Sequence, residues 1–507
     1  MTIGRRSFVS SAVATATAAL LPVRQGWADT ATPGKISSGL AAVTGAGNPV
    51  TLSVSDLEDL RAGLRGQLLL PHDRGYDEAR RFWDAAFDRR PALIVRPASA
   101  EEVIRAVQFA RAHALLTAVR GGGHCQSEQI SACDNGLMID LSLMRRVKVD
   151  PQRRLVSAQG GALLGQVDRA TQALGLVTTM GTATDTGIAG LTLGGGIGRL
   201  MRTFGLAIDN LVSVDIVTAD GKLRHASETE NPDLFWGVRG GGGNFGVLTN
   251  FEYRLHPFSH QVLSAHAMYP YDRAHAVMRA VAELTERASD ELLLSAGVAN
   301  DPRGGRHATW SAFYSGDPRE GERVLAALKK LGTPLQNSAI AESYLTAQGA
   351  ANTAPLAVPR RMATYEKSGF MHGGPQEALF DELVRRFDAV PASLDCGAGL
   401  SPMGGAIARV RPDATAYWNR SATYAVLISD EWTPGAESDT GRAALRDLWN
   451  GVRKFTHGYY INADSDVDDE RLRETYGQNY ARLVQLKNRF DPTNLFRLNA
   501  NIKPSAI

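Results

Sequence analysis

The chain has 507 residues, 44% hydrophobic and 21% charged, with a formal net charge of +2 and 51 glycines. At about 150 residues per domain it is too long for one ordinary domain, and its near-balanced charge, with no Lys/Arg run interleaved with aromatics, leaves no face for nucleic acid. Its three cysteines, Cys125, Cys133 and Cys396, form neither a disulfide framework nor a zinc spacing, so no metal is expected.

Residues 1–28 carry a twin arginine in Gly4-Arg5-Arg6-Ser7-Phe8-Val9, a mildly apolar stretch over 8–21 and small residues at Gly26-Trp27-Ala28, the pattern of a Tat-type signal peptide. A periplasmic or secreted location is expected, by a route that carries folded protein with its cofactor in place. No other apolar run reaches the length of a membrane span. Cys125 and Cys133 read as two buried thiols, with a bridge as the alternative in an oxidising compartment.

A strand at 92–95 lies between Pro91 and Pro97, and Ser99 with Glu102 gives a capping-box signal for a helix whose Val103, Ala106, Val107 and Ala110 form one buried stripe. The next strand, 115–119, runs straight into Arg120-Gly121-Gly122-Gly123-His124. Strands follow at 137–141 and 155–158, with a helix from about 163 to 174. A glycine-rich stretch then places Gly at 181, 187, 190, 194, 195, 196 and 198. Residues 212–217 and 222–225 read as a hairpin through Asp220-Gly221. A third cluster, 240–243, leads through Asn244-Phe245-Gly246-Val247 to a strand at 251–255, and Pro257 marks a boundary. From 261 to 455 the glycine clusters disappear; strand-like stretches such as 424–428 alternate with helical ones such as 319–331, which reads as a second, α+β domain. The tail from Thr456 holds an acidic turn, a helix over about 469–490 and Asp491-Pro492-Thr493-Asn494-Leu495-Phe496.

Three glycine clusters in one half of the chain suggest a shared cause, backbone N–H groups bared to a diphosphate. A nicotinamide Rossmann site is the rival, since Gly241, Gly243 and Gly246 match G-x-G-x-x-G, but that pattern must open a helix and this one runs into extended chain. His124, aimed by a strand and freed by three glycines, is placed to act as a nucleophile toward an electrophilic cofactor carbon.

The strand and helix of 93–112, Arg120 to His124, Asp140-Leu141-Ser142, the stretch 187–198, Asn244-Phe245-Gly246-Val247 and 491–501 resemble, in this order, the berberine-bridge-enzyme-like FAD-linked oxidases of vanillyl-alcohol-oxidase type. Leu70-Pro71 and the segment 75–80 look like the family's opening, so the resemblance runs from about Leu68 to the C-terminus. It implies an α+β, two-domain flavoprotein: a split FAD domain from 35–260 and 456–507, and an antiparallel-sheet substrate domain at 261–455 roofing the flavin. The implied cradle comprises Arg120, Gly121, Gly122, Gly123, His124, Gly181, Thr186, Gly187, Gly190, Gly194, Gly195, Gly196, Gly198, Val247, Asn462 and Asn499. His124 matches the histidine bonded to the flavin's methyl group. Ala183 stands where many relatives carry a second, cysteinyl anchor, so a single covalent link is expected.

Many relatives place a tyrosine base directly after the asparagine matched by Asn462; this chain has Ala463. Tyr459, Tyr460, Tyr417 and Tyr424 are the remaining candidates for a proton acceptor, and spacing does not separate them. An amine substrate would need no strong base. Thr186 occupies a position where relatives with Val tend to be oxidases and those with Leu or Ile react poorly with oxygen; Thr has nearly the volume of Val. The implied activity is hydride removal from a C–H bond next to O or N of a small molecule, an alcohol, carbohydrate or amine, with dioxygen as acceptor. A dehydrogenase using a quinone-type acceptor and a flavin-binding protein without turnover are the alternatives.

Overall fold

The computed structural model describes residues 36–125, 127, 131–301, 304–349, 362–374, 377–433, 438–466 and 468–505; the signal read at 1–28 lies outside them. Strands Gln67–Leu69, Leu93–Arg96, Leu137–Asp140 and Thr117–Arg120 form a four-stranded sheet in that spatial order, parallel apart from the first. A five-stranded antiparallel sheet follows, ordered Leu223–Ser227, Leu211–Thr218, Gly246–Arg254, Leu155–Gln159 and Val147–Asp150. Helix Ala100–Ala112 lies between the two. Its Val103, Ala106, Val107 and Ala110 are buried against Leu93, Val95, Leu137 and Ile139 of the first sheet and Val217 and Val247 of the second. Each such Val or Leu contributes about 1.5–3 kcal/mol by leaving water.

The capping box expected at this helix does not form: the Ser99 side chain makes no cap hydrogen bond. Glu102 is drawn instead into a buried turn, where it accepts from the backbone N–H groups of Arg65 (3.1 Å), Gly66 (3.0 Å) and Ala98 (2.9 Å). A carboxylate holding three orphan donors outweighs one cap.

The third sheet has seven antiparallel strands, in spatial order Gln336–Glu342, Val262–Pro270, Gly305–Tyr314, Leu292–Asp301, Asp395–Pro402, Tyr424–Trp432 and Ala363–Met371. Alternation sorts its side chains. Leu263, Leu292, Leu294, Trp310, Leu400, Val426 and Ile428 pack with helices Ala274–Thr285, Glu377–Phe387 and Ser438–Val452 in one core. The opposite face carries Ser295, Ser311, Ser401, Gly397 and Gly399 and turns toward the first two sheets, where Phe370 and Leu293 pack with Ile197 and Tyr417. This sheet is a roof whose inner surface is small and polar.

The tail departs from a single helix over 469–490. It breaks into Asp469–Tyr476 and Tyr480–Phe490 because Gly477 takes φ +47°, and a β-carbon there would strike the Trp418 indole. The stretch 319–331 likewise divides into an α-helix, Pro318–Leu325, and a 3-10 turn, Ala326–Leu331.

Two buried ionic locks fasten the tail. Lys487 Nζ donates to Asp491 Oδ2 (2.7 Å), Asn244 O (2.9 Å) and Phe496 O (2.9 Å), while Asp491 also accepts from the N–H groups of Leu495 and Phe496. Burial pushes the Lys487 amine down to about 8. At the roof edge Asp464 accepts from Lys367 Nζ (2.6 Å) and Arg471 Nη1 (3.0 Å), and Arg471 also reaches Ser368 O and Gly458 O.

Candidate active site

The triple-glycine turn is set by the buried Asp140. It accepts from Arg120 Nη1 (3.0 Å) and Arg96 Nε (3.1 Å), so the guanidinium that ends the strand is fixed before the chain turns. Gly123 turns at φ +73°, where a β-carbon would meet the Arg120 side chain. Gly122 and Gly187 touch backbone to backbone, and a β-carbon on either would collide with the other. That contact delivers His124 onto the loop 183–190. The imidazole stacks on Trp83 with ring centroids 4.7 Å apart and planes at 25°. Its Nδ1 lies 3.3 Å from Thr186 Oγ1, and its Nε2 lies 3.2 Å from Asp185 Oδ1, off the hydrogen-bond axis.

Trp83 belongs to a short bridge between turn and roof: its backbone N–H donates to Gly123 O (2.8 Å), the Ala85 backbone N–H donates to Met362 O (3.0 Å), and buried Asp84 accepts from Thr364 Oγ1 (2.7 Å). Burial raises the Asp84 carboxyl above its ordinary range.

The glycines divide into two kinds. Gly181, Gly196 and Gly198 admit neighbouring protein atoms, respectively Leu164 and Leu191, Ala207, and the Met180 carbonyl; Gly195 admits the Tyr417 ring and Gly194 the Asn462 amide. Close packing by itself requires glycine at these five positions, a cause the sequence reading did not include. Gly190 has open space where its β-carbon would be, and Gly243 meets only Asn499 Nδ2 at 3.8 Å; Gly121 has ordinary contacts. Asn499 donates to Gly243 O (3.2 Å) and Phe496 O (2.9 Å). The Val247 side chain is turned into the core, so it can meet a ligand only through its main chain.

Of the four candidate tyrosines, Tyr460 hydrogen-bonds to the glycine loop through its hydroxyl. Its hydroxyl accepts from Ile197 N–H (3.2 Å) and Asn462 Nδ2 (3.0 Å), and Asn462 Nδ2 also donates to Leu191 O. Burial raises the Tyr460 phenol, so it stays protonated with both lone pairs engaged. Tyr459 is turned into the core beside Tyr476 and Trp236, and Tyr424 into the helix-covered side of the roof. Tyr417 packs with Phe370 under Arg420. The hydroxyls of Tyr417, Tyr424 and Tyr459 have no hydrogen-bond partner among the described residues, and burial raises all three phenols.

On the roof's inner face His266 stands opposite Ser311 and Ser338, and Ser311 opposite Ser295. Ser338 Oγ lies 2.8 Å from His266 Nδ1, and Ser295 Oγ donates to Ser401 Oγ (3.2 Å). Burial lowers the His266 imidazole. Neither this row nor Trp83 and Asp185 is singled out by sequence pattern; an acid two residues ahead of Gly187 is the one signal that could have marked Asp185. Cys125, Cys133 and Cys396 are free thiols, all three pushed up to about 12 by burial.

The residues present fit a flavin dinucleotide. Gly190 and Gly243 leave open space, and Arg120 Nε, His124 Nε2 and Asn499 Oδ1 are buried polar atoms with no hydrogen-bond partner among the described residues. The third cluster runs into strand Gly246–Arg254, not a helix, which disfavours the Rossmann reading. Fold and cradle together define a flavoenzyme. The "FAD binding domain" family matches residues 91–227 and the "Berberine and berberine like" family residues 459–503. The FAD-linked oxidoreductase YgaK of Bacillus subtilis is 30% identical over 87% of this chain and 97% of its own. The chain belongs to the berberine-bridge-enzyme-like family of FAD-linked oxidoreductases. Among solved structures, 6-hydroxy-D-nicotine oxidase from Arthrobacter nicotinovorans superposes with a TM-score of 0.77 at 27% identity, covering 87% of this chain and 98% of that one. Chitooligosaccharide oxidase shares the fold, with a TM-score of 0.80 at 24% identity over 89% and 100% of the two chains.

Proposed function

We propose that the protein is an FAD-dependent oxidase that removes a hydride from a C–H bond next to oxygen or nitrogen of a small polar molecule and passes the electrons to dioxygen, with its FAD bonded once, through His124. FAD supplies the hydride acceptor. The observation that carries the reading is the imidazole of His124, fixed by Trp83, Thr186 and Asp185 at the end of a strand-aimed glycine turn. Arg120, Gly190, Gly243, Asn462 and Asn499 would hold the cofactor, and Ala183 provides no second anchor. Relatives named for oxidation of a nicotine and of a chitooligosaccharide support a substrate with N or O beside the reacting carbon.

The row of Ser295, Ser311, Ser401 and His266 on the roof offers hydroxyl and imidazole groups to such a substrate. Tyr460, protonated and oriented by Ile197 and Asn462, acts as a hydrogen-bond donor and not as the base. An anaerobic screen of alcohols, carbohydrates and amines for loss of the flavin's visible absorbance tests the assignment. Bleaching followed by peroxide release in air supports an oxidase. Bleached enzyme that returns its electrons only to artificial acceptors points to a dehydrogenase, and a flavin that no substrate bleaches overturns the reading.

A further inference from the structure

We propose that Asp185 is a positioning residue for attachment of the cofactor: it fixes the tautomer of His124 so that Nδ1 is the nitrogen that bonds to the flavin. This rests on the covalent reading above. Asp185 Oδ1 is 3.2 Å from Nε2, and Nε2 has no hydrogen-bond partner among the described residues, so this carboxylate is the acceptor toward which its proton can turn. Contacts of this kind are often poorly aligned until the reacting partner engages.

An ionised carboxylate only accepts, so its neighbour nitrogen must carry the proton. In a neutral imidazole the other nitrogen then holds the lone pair. That nitrogen is Nδ1, 3.3 Å from Thr186 Oγ1. A threonine hydroxyl can donate to a lone pair, or rotate its proton away and release it, so Thr186 steadies Nδ1 without blocking it. Stacking on Trp83 removes the remaining freedom, rotation of the ring about its own axis. Three neighbours therefore define plane, tilt and tautomer of one nucleophile.

The step balances as follows. One C–H bond of the flavin methyl group and the Nε2–H bond of the imidazole break, one C–N bond forms at Nδ1, and two protons leave. Two electrons stay on the ring system and pass to an external acceptor, for which dioxygen suffices. Asp185 holds the departing Nε2 proton, stabilising positive charge as it develops on the ring.

The test uses the full-length chain, wild type beside Asp185→Asn and Asp185→Glu. Each purified protein is incubated with FAD and sampled over time for flavin that survives acid precipitation, while gel filtration under native conditions reports total bound flavin. Asp185→Asn is expected to bind FAD natively yet form the acid-stable bond about a hundredfold more slowly, and Asp185→Glu to restore most of the rate. NMR of the flavinyl peptide from the wild type identifies the bonded nitrogen independently of any variant, and Nδ1 is expected. Bonding at Nε2, or an Asp185→Asn protein that attaches flavin as fast as the wild type, overturns the role of Asp185. Wild-type protein that releases all its flavin into acid instead overturns the covalent assignment itself.

Discussion

His124 is held by contacts from two separate stretches of chain, at Trp83 and at Asp185 with Thr186, and its replacement separates binding from bonding. His124→Ala keeps the Gly190 and Gly243 openings and Asn499, so the expected product is a yellow protein that loses all its flavin to acid and oxidises substrate more slowly. Peptide mass mapping of the wild type should place one flavin on the His124 peptide. Thr186 carries two expectations at once, because its hydroxyl touches His124 while its volume resembles that of Val. Thr186→Leu should slow reoxidation of the reduced enzyme by air, read by stopped flow, while anaerobic reduction stays largely intact; equal reoxidation rates would remove Thr186 as an oxygen gate. The strand, triple glycine and histidine are adjacent in sequence, so the nucleophile is legible there. Trp83 and Asp185 are not: Trp83 reaches His124 from a distant segment whose backbone N–H docks on Gly123 O, and Asp185 meets it only after Gly122 and Gly187 bring two loops into contact.

Elements were legible where periodicity is local and illegible where a tertiary contact decides. The strands around 93–95, 137–140 and 211–218 and the helix stripe from Val103 to Ala110 follow from their own patterns. The break at Gly477 does not, since Asp469 to Phe490 reads as one helix until the Trp418 indole claims the space beside Gly477. The same holds for Glu102, whose partners at Arg65 and Gly66 lie in the bend before strand Gln67–Leu69. Asp464→Asn should leave Lys367 and Arg471 short of a counter-charge in a nearly dry site, at a cost of about 3–5 kcal/mol; a lowered denaturant midpoint is the readout. The roof strand Tyr424–Trp432 also contains Asp430, 1% exposed against Gly441 of helix Ser438–Val452, with neither carboxylate oxygen hydrogen-bonded among the described residues. Burial, helped by the charge of Asp395, raises its carboxyl from 3.8 to about 7. The folded state then holds this proton more tightly than the unfolded chain, so stability is greatest below about pH 4 on this account and declines as pH rises to about 7. Asp430→Asn should flatten that decline and raise stability at pH 8 by up to about 4 kcal/mol, as followed by thermal unfolding across pH; an unchanged profile would assign the decline elsewhere.

At the scale of the whole chain, the twin arginine leads to a prediction about location. Replacing Arg5 and Arg6 together by Lys should leave folded, flavin-loaded protein in the cytoplasm, detected by fractionation and in-gel flavin fluorescence; normal export of that variant would exclude the Tat route. The order of events inside the cell is constrained further by the buried lysine of the tail. Lys487 closes onto Asn244 and Phe496, and Arg471 and Asp464 close onto the roof strand Ala363–Met371. The glycine turns, at 121–123, 181–198 and 240–243, leave the ribosome well before the tail groups that fasten them, Asp464, Arg471, Lys487 and Asp491. Loops this long are slow to close. A chain synthesised only as far as the roof can therefore shape its sheets yet lacks the groups that would enclose a dinucleotide, so cofactor capture would wait for the tail, which acts as its timer.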